Sequence, residues 1–135
     1  MRMNKLPIAQ RAQILTLLCE GSSMRSISRV CNVSINTVSK LLVDAGRFCA
    51  GFHDAKVRGV KAKRVQVDEI WSFVGAKQKN VPEDRRGEFG IGDVWTWTAI
   101  DADSKLVASW MVGTRDGDAA KAFIGDLAGR LANRV

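Results

Sequence analysis

The stretch Arg64–Asn80, RVQVDEIWSFVGAKQKN, decides how this chain is read. Val65, Val67, Ile70, Trp71, Phe73 and Val74 are the β-branched and aromatic residues of a strand, and an acid pair, Asp68 and Glu69, interrupts them. Burying a carboxylate in such a strand is costly unless it is paired, protonated or metal-bound. Either the pair faces solvent or lies near a strand end, or it is kept there for function. The flanking sequence bears on the choice.

Downstream, a polar loop from Gly75 to Gly92 leads to two more strand-like runs, Val94 to Ile100 and Lys105 to Val112. They are joined by Asp101-Ala102-Asp103-Ser104, whose short polar residues suit a hairpin turn, so the three strands form a meander. Alternation places Trp71 and Phe73 on one face with Trp95, Trp97 and Trp110, and points Asp68 the other way. The segment after Gly113 supplies a cover. Asp116 or Asp118 caps a helix that presents Ala119, Ala120, Phe123, Ile124, Leu127, Ala128 and Leu131 at helical spacing. The order is β-β-β-α, and the tryptophans read as core rather than as a stacking platform for bases.

Upstream, the apolar residues of Pro7–Glu20 recur at helical spacing and Gly21 closes the helix. Ser22 or Ser23 caps a second helix carrying Met24, Ile27 and Val30, and Ser34 caps a third from Ile35 to about Ala45, closed by Gly46. Ile27, Cys31, Val33, Val38 and Leu41 fall where two helices crossing over a three-residue turn need apolar contacts. Small Ser28 permits the approach, and Asn32 can take the left-handed turn conformation. In a helix-turn-helix the third helix enters the major groove, leaving Ser34, Asn36, Thr37, Ser39 and Lys40 outward to read bases and phosphates. A three-helix bundle with a polar face is the alternative. Residues 47–63 read as a basic linker, either a solvated charge run or an arm that tracks phosphates with Lys61, Lys63 and Arg64. The expected division is therefore 1–46, 47–63 and 64–135.

The 135 residues suffice for one ordinary domain or two small ones, and 46% hydrophobic content is normal for a globular chain. A net charge of +7 suits a polyanion such as nucleic acid or an anionic membrane surface. No apolar run approaches the length of a membrane span, and the first residues lack the apolar core of a secretory signal, so the expected location is the cytoplasm and no membrane partner is expected. Cys19, Cys31 and Cys49 are too few and too scattered for a disulfide framework or a zinc module.

The order helix-turn-helix, basic linker, Asp68 strand, two strands and helix resembles the insertion sequence one family of transposases, of the DDE, RNase H-like type. Residues 21–47 resemble that family's helix-turn-helix. VDEIWSFVGAKQKN and the later WTWTAIDADSKLVASWMVGTR resemble the start of its catalytic domain. The resemblance implies an α+β chain, a three-helix amino-terminal domain followed by a partial RNase H-like β-β-β-α unit. It makes Asp68 the first catalytic carboxylate and a ligand of Mg²⁺ or Mn²⁺, and it makes double-stranded insertion-sequence ends the DNA partner. Two-ion phosphoryl transfer needs several carboxylates. The family's next one belongs on a fourth strand, which would begin where this sequence ends at Val135. The expectation is that this product alone neither cuts nor joins DNA and leaves a strand edge open beside Asp68, suited to self-association or pairing with full-length transposase. A non-catalytic regulator or inhibitor of transposition is the competing function. Asp101 or Asp103 would join Asp68 only in one of two possible registers.

Overall fold

The computed structural model describes residues 5–135, so the first four residues of the expected amino-terminal domain lie outside the described residues. The chain forms two compact units that divide between Ala55 and Lys56.

The first unit is helical: α1 (Ile8–Cys19), α2 (Met24–Cys31) and α3 (Ile35–Lys56). Ile14, Ile27, Cys31 and Val38 form its buried core, flanked by Leu6, Leu17, Leu18, Val33 and Leu41. Each short connection has a local cause. Gly21 turns the chain after α1 at φ +84°. Ser23 Oγ then accepts from the Ser26 N–H (3.1 Å) to start α2. Asn32, at φ 52° and ψ 49°, ends α2 in the left-handed conformation. The Ser28 hydroxyl donates to the Val33 carbonyl across that turn. Ser34 Oγ accepts from the Thr37 N–H (3.2 Å) and opens α3.

One boundary differs from the sequence expectation. α3 runs through Gly46 to Lys56, because a glycine inside a helix costs only about 1 kcal/mol relative to alanine and the residues around it are helix-compatible. The added turns carry Phe48 and Phe52, exposed and stacked on each other with ring centroids 6.3 Å apart. The stretch expected as a linker is thus split between the end of α3 and a strap in the second unit. In that strap the Val60 N–H donates to the Arg130 carbonyl (2.9 Å), and the Val60 carbonyl accepts from the Ala132 N–H (2.8 Å).

The second unit is an antiparallel sheet in the order β1 (Val65–Val74), β2 (Gly92–Asp101), β3 (Val107–Gly113), followed by α4 (Gly117–Arg130). Asp116 caps α4, accepting from the Ala119 N–H (2.8 Å). The core is Trp97, Ala99, Ala108, Phe123 and Leu127, so α4 lies over β2 and β3. Of β1, only Val65 and Glu69 are even partly covered. A polar network ties α4 to its surroundings. Ser109 Oγ donates to Asp126 Oδ2, and the buried Arg130 pairs with both oxygens of Asp126 (2.7 and 3.2 Å) while donating to the Val57 carbonyl (3.3 Å). Arg130 holds the Asp126 carboxyl below its ordinary range, and burial partly opposes this.

The aromatic face is smaller than expected. Trp97 is buried and tilts onto Phe123 (5.6 Å between ring centres), but Trp71 and Phe73 remain half-exposed beyond α4. Trp110 lies on the opposite face, directly across from Thr98. The reason is a β-bulge. Near the hairpin Val107 faces Ile100, a register that would carry Trp110 to Trp97. One extra residue, Ala108, shifts the pairing so that Ser109 faces Ala99. Ala108 and Ser109 are accordingly both buried, and Trp110 turns outward.

Candidate nucleic-acid interface

The opening turns of α3 carry five expected DNA contacts. Ser34, Asn36 and Lys40 are exposed, and Thr37 and Ser39 are half-buried. Val38 and Leu41 fix the rotation of the helix by entering the core on its other side. Asn36 and Lys40 stand one turn apart, about 6 Å along the axis. A side-chain amide and an ammonium so placed can reach adjacent bases and the flanking phosphate. Ser34 and Thr37 hold each other through their hydroxyls (3.0 Å), so their first role is to build the helix start.

Three basic residues join this face that the sequence reading had not placed there. Lys5 and Arg11 line a cavity of about 340 Å³ together with Thr37, Lys40 and Asp44. Arg11 is aimed by its bond from Nε to the Leu6 carbonyl (3.1 Å). Arg47 lies seven residues beyond Lys40 on the same side of α3, a position created by the continuation of the helix past Gly46. No local motif marks Lys5 or Arg11, but the helical spacing of Asn36, Lys40 and Arg47 was a readable signal once α3 is taken as long.

The remaining expected residues belong to the second unit. Lys61 and Lys63 are exposed on either side of buried Ala62, whose N–H donates to Asn133 Oδ1 (3.2 Å) and whose carbonyl accepts from Asn133 Nδ2 (2.9 Å). Arg64 is engaged with Asp103 (2.9 Å) in an exposed ion pair.

Asp68 sits in mid-β1 on the face away from α4, directly opposite Thr98, and is exposed. Its Oδ1 accepts from the N–H of Glu69 (2.8 Å). The strand therefore carries this carboxylate in solvent, and the desolvation cost that its apolar neighbours suggested is not incurred. Glu69 points to the other face, where Arg115 Nε reaches its Oε1 (3.3 Å). Asp101 does not join Asp68. It pairs across the sheet with Val65, and its buried carboxylate organises the β2–β3 turn, accepting from Ser104 Oγ (2.6 Å) and from the N–H groups of Asp103 and Ser104. The Ser104 hydroxyl, then these N–H bonds, hold Asp101 below the ordinary carboxylate range. Among the described residues, no three His, Cys, Asp or Glu side chains converge on a position where a metal ion could bind. Asp68 alone supplies too few oxygens for the octahedral, two-ion arrangement of phosphoryl transfer. Among the described residues, no helix is long and apolar enough to cross a membrane.

A family model described as a helix-turn-helix domain matches residues 2–43, a span that includes α1, α2 and the reading turns of α3. Neither curated proteins nor solved structures give a significant match.

Proposed function

We propose that this chain is a sequence-specific duplex-DNA-binding protein of the transposase type, which recognises the ends of an insertion sequence by placing α3 in the major groove. The observation that carries the reading is the short α2–α3 turn through left-handed Asn32, with Asn36 and Lys40 exposed on the first turns of α3. The match to a helix-turn-helix family typical of transposase amino termini supports it. Lys5, Arg11 and Arg47 supply phosphate contacts that set affinity, and Asn36 supplies base selection.

The test is selection of a binding site from a randomised duplex pool, followed by titration of variants on it. Asn36→Ala is expected to cost about 1–3 kcal/mol on the selected site and to relax base preference at one position. Arg47→Ala is expected to weaken all duplexes alike and lower the salt slope by about one unit. Recovery of no consensus site, or an Asn36→Ala variant with unaltered affinity and preference, overturns the placement of α3.

The sheet unit is the counterpart of the opening of an RNase H-like transposase domain, with Asp68 as the first of its metal-binding carboxylates. That role requires further acidic groups brought to Asp68. A second reading, a non-catalytic regulator that occupies the same DNA ends, is favoured by one observation: Glu69, Asp101 and Asp126 are each committed to partners away from Asp68. Calorimetric titration of the chain with Mg²⁺ and Mn²⁺ separates the two. Stoichiometric binding abolished by Asp68→Ala supports the metal site, and its absence alongside intact duplex binding supports the regulator.

A further inference from the structure

The sheet unit carries a surface that duplex recognition does not use. Beyond the reach of α4, Trp71 is 42% exposed and Phe73 is 46% exposed, with ring centroids 5.7 Å apart. Trp95 stands directly across from Trp71 on β2. Cations lie over these rings. Lys77 Nζ is 5.4 Å from the Trp71 ring centre, and the Arg115 guanidinium is 4.8 Å from that of Trp95. The loop leaving β1 completes an open cavity of about 340 Å³ lined by Trp71, Lys77, Gln78, Lys79 and Asp93.

We propose that this surface binds single-stranded nucleic acid, with an unpaired base stacked on Trp71 and the adjoining phosphates held by Lys77 and Lys79. An aromatic face beside cationic side chains is the pairing by which proteins hold unpaired nucleotides without reading their sequence. Intact duplex DNA cannot serve, because its base faces are covered by one another. The lysines select a polyanion over an apolar protein surface. The Lys77 ammonium now over Trp71 does not block the site: an exposed cation–π contact is weak, so a base displaces it and the phosphate of that nucleotide receives it. Arg115 is held by Glu69 and serves to fix Trp95 rather than to meet a phosphate. Trp71 and Asp68 lie on opposite faces of β1, so this surface is separate from any site built on Asp68. It is also independent of the helix-turn-helix reading, since no residue of the first unit takes part.

The probe is a fluorescently labelled octamer of thymidylate, dT8, which offers no duplex groove, titrated with the full chain and followed by anisotropy and tryptophan emission. The wild-type chain is expected to bind saturably with quenching. Trp71→Ala is expected to lose most of the quenching and at least about tenfold in affinity, whereas Trp71→Phe, which keeps a stacking ring, stays within about threefold of wild type. Lys77→Gln combined with Lys79→Gln is expected to lower the slope of log affinity against log salt by about 1.4, the value for two phosphates of a single strand. Absence of saturable binding, equal affinity of Trp71→Ala and wild type, or an unchanged salt slope in the double lysine variant each overturns the proposal. So does a result in which Trp71→Ala alters the sedimentation of the free chain and not its binding to dT8, which would make the surface a protein contact.

Discussion

The two units handle their apolar surface differently. In the helical unit, three helices turn Ile14, Ile27, Cys31 and Val38 inward around one centre, and the side of α3 away from that centre is polar where it would meet DNA. In the sheet unit, one helix covers two strands, and β1 is left with Val67, Ile70, Trp71, Phe73 and Val74 all more than two-fifths exposed. A three-helix arrangement closes around a small core. A three-stranded sheet with one helix has a second face and two edges still open. Around Asn36 and Lys40 the helical unit thus presents a polar surface for a rigid partner, with its exposed Phe48 and Phe52 further along α3, whereas the sheet unit concentrates its exposed apolar side chains on β1, suited to whatever covers an aromatic face or an edge strand.

The largest expected effect breaks this comparison apart. Phe123 is the one large side chain from α4 that is wholly buried against the sheet, in contact with Trp97. Phe123→Ala is expected to cost the sheet unit about 3–5 kcal/mol and to leave the helical unit standing. All four tryptophans, at 71, 95, 97 and 110, lie in the sheet unit, so their emission follows that unit alone. Circular dichroism at 222 nm is dominated by α1 to α3. Loss of the tryptophan transition with retention of most helical signal is the expected result, and simultaneous loss of both signals would show that the units fold as one.

That contrast also explains what could be read from the sequence. The helix-turn-helix was legible because its determinants are local: Ile27, Cys31, Val33, Val38 and Leu41 at fixed spacing, Ser23 and Ser34 as caps, and Asn32 at the turn. All lie within 19 residues, and each acts on its neighbours. The three strands and the Asp116-capped helix were legible for the same reason. The face of Trp110 was not, because it depends on one bulged residue, Ala108, whose small apolar side chain gives no warning of a register shift. The convergence of Lys5, Arg11 and Lys40 on one cavity was not legible either, since it follows from how α1 packs on α3. Asp68 was legible as an unusual residue, and a solvent-facing position was one of the two readings its strand left open. Its exposure follows from β1 being an edge strand and from Asp68 lying on the face away from α4.

A second prediction, of intermediate size, probes how the sheet unit holds its helix. Asp126 links Ser109 of β3 to the buried Arg130 of α4. Asp126→Ala leaves Arg130 its bond to Val57 but removes its bidentate counter-charge, at an expected cost of about 2 kcal/mol in the tryptophan-monitored transition. The pH dependence follows from the sign of the shift. The folded Asp126 carboxyl titrates below its unfolded value of about 3.9, so its stabilisation is complete above that value and is lost as pH falls through the lower folded one. The difference in stability between wild type and Asp126→Asn should therefore be constant near neutrality and shrink in acid below about pH 4. A difference that persists unchanged below that range would show that the side chain acts by packing rather than by charge.

The smallest expected effect has the opposite sign and sharpens the helical half of the comparison. If α3 ended at Gly46, that residue would sit in a left-handed cap, and replacing it with alanine would strain the backbone. In the observed helix Gly46 is an interior residue without a positive φ, and a Cβ built there meets nothing within 4 Å. Gly46→Ala is then expected to stabilise the helical unit by about 0.5–1 kcal/mol, read as a higher midpoint in the 222 nm transition with the tryptophan transition unmoved. A loss of stability would restore the short third helix. It would also remove the structural basis for placing Arg47 on the face that carries Asn36 and Lys40, since only a helix continuous through Gly46 puts the three in line.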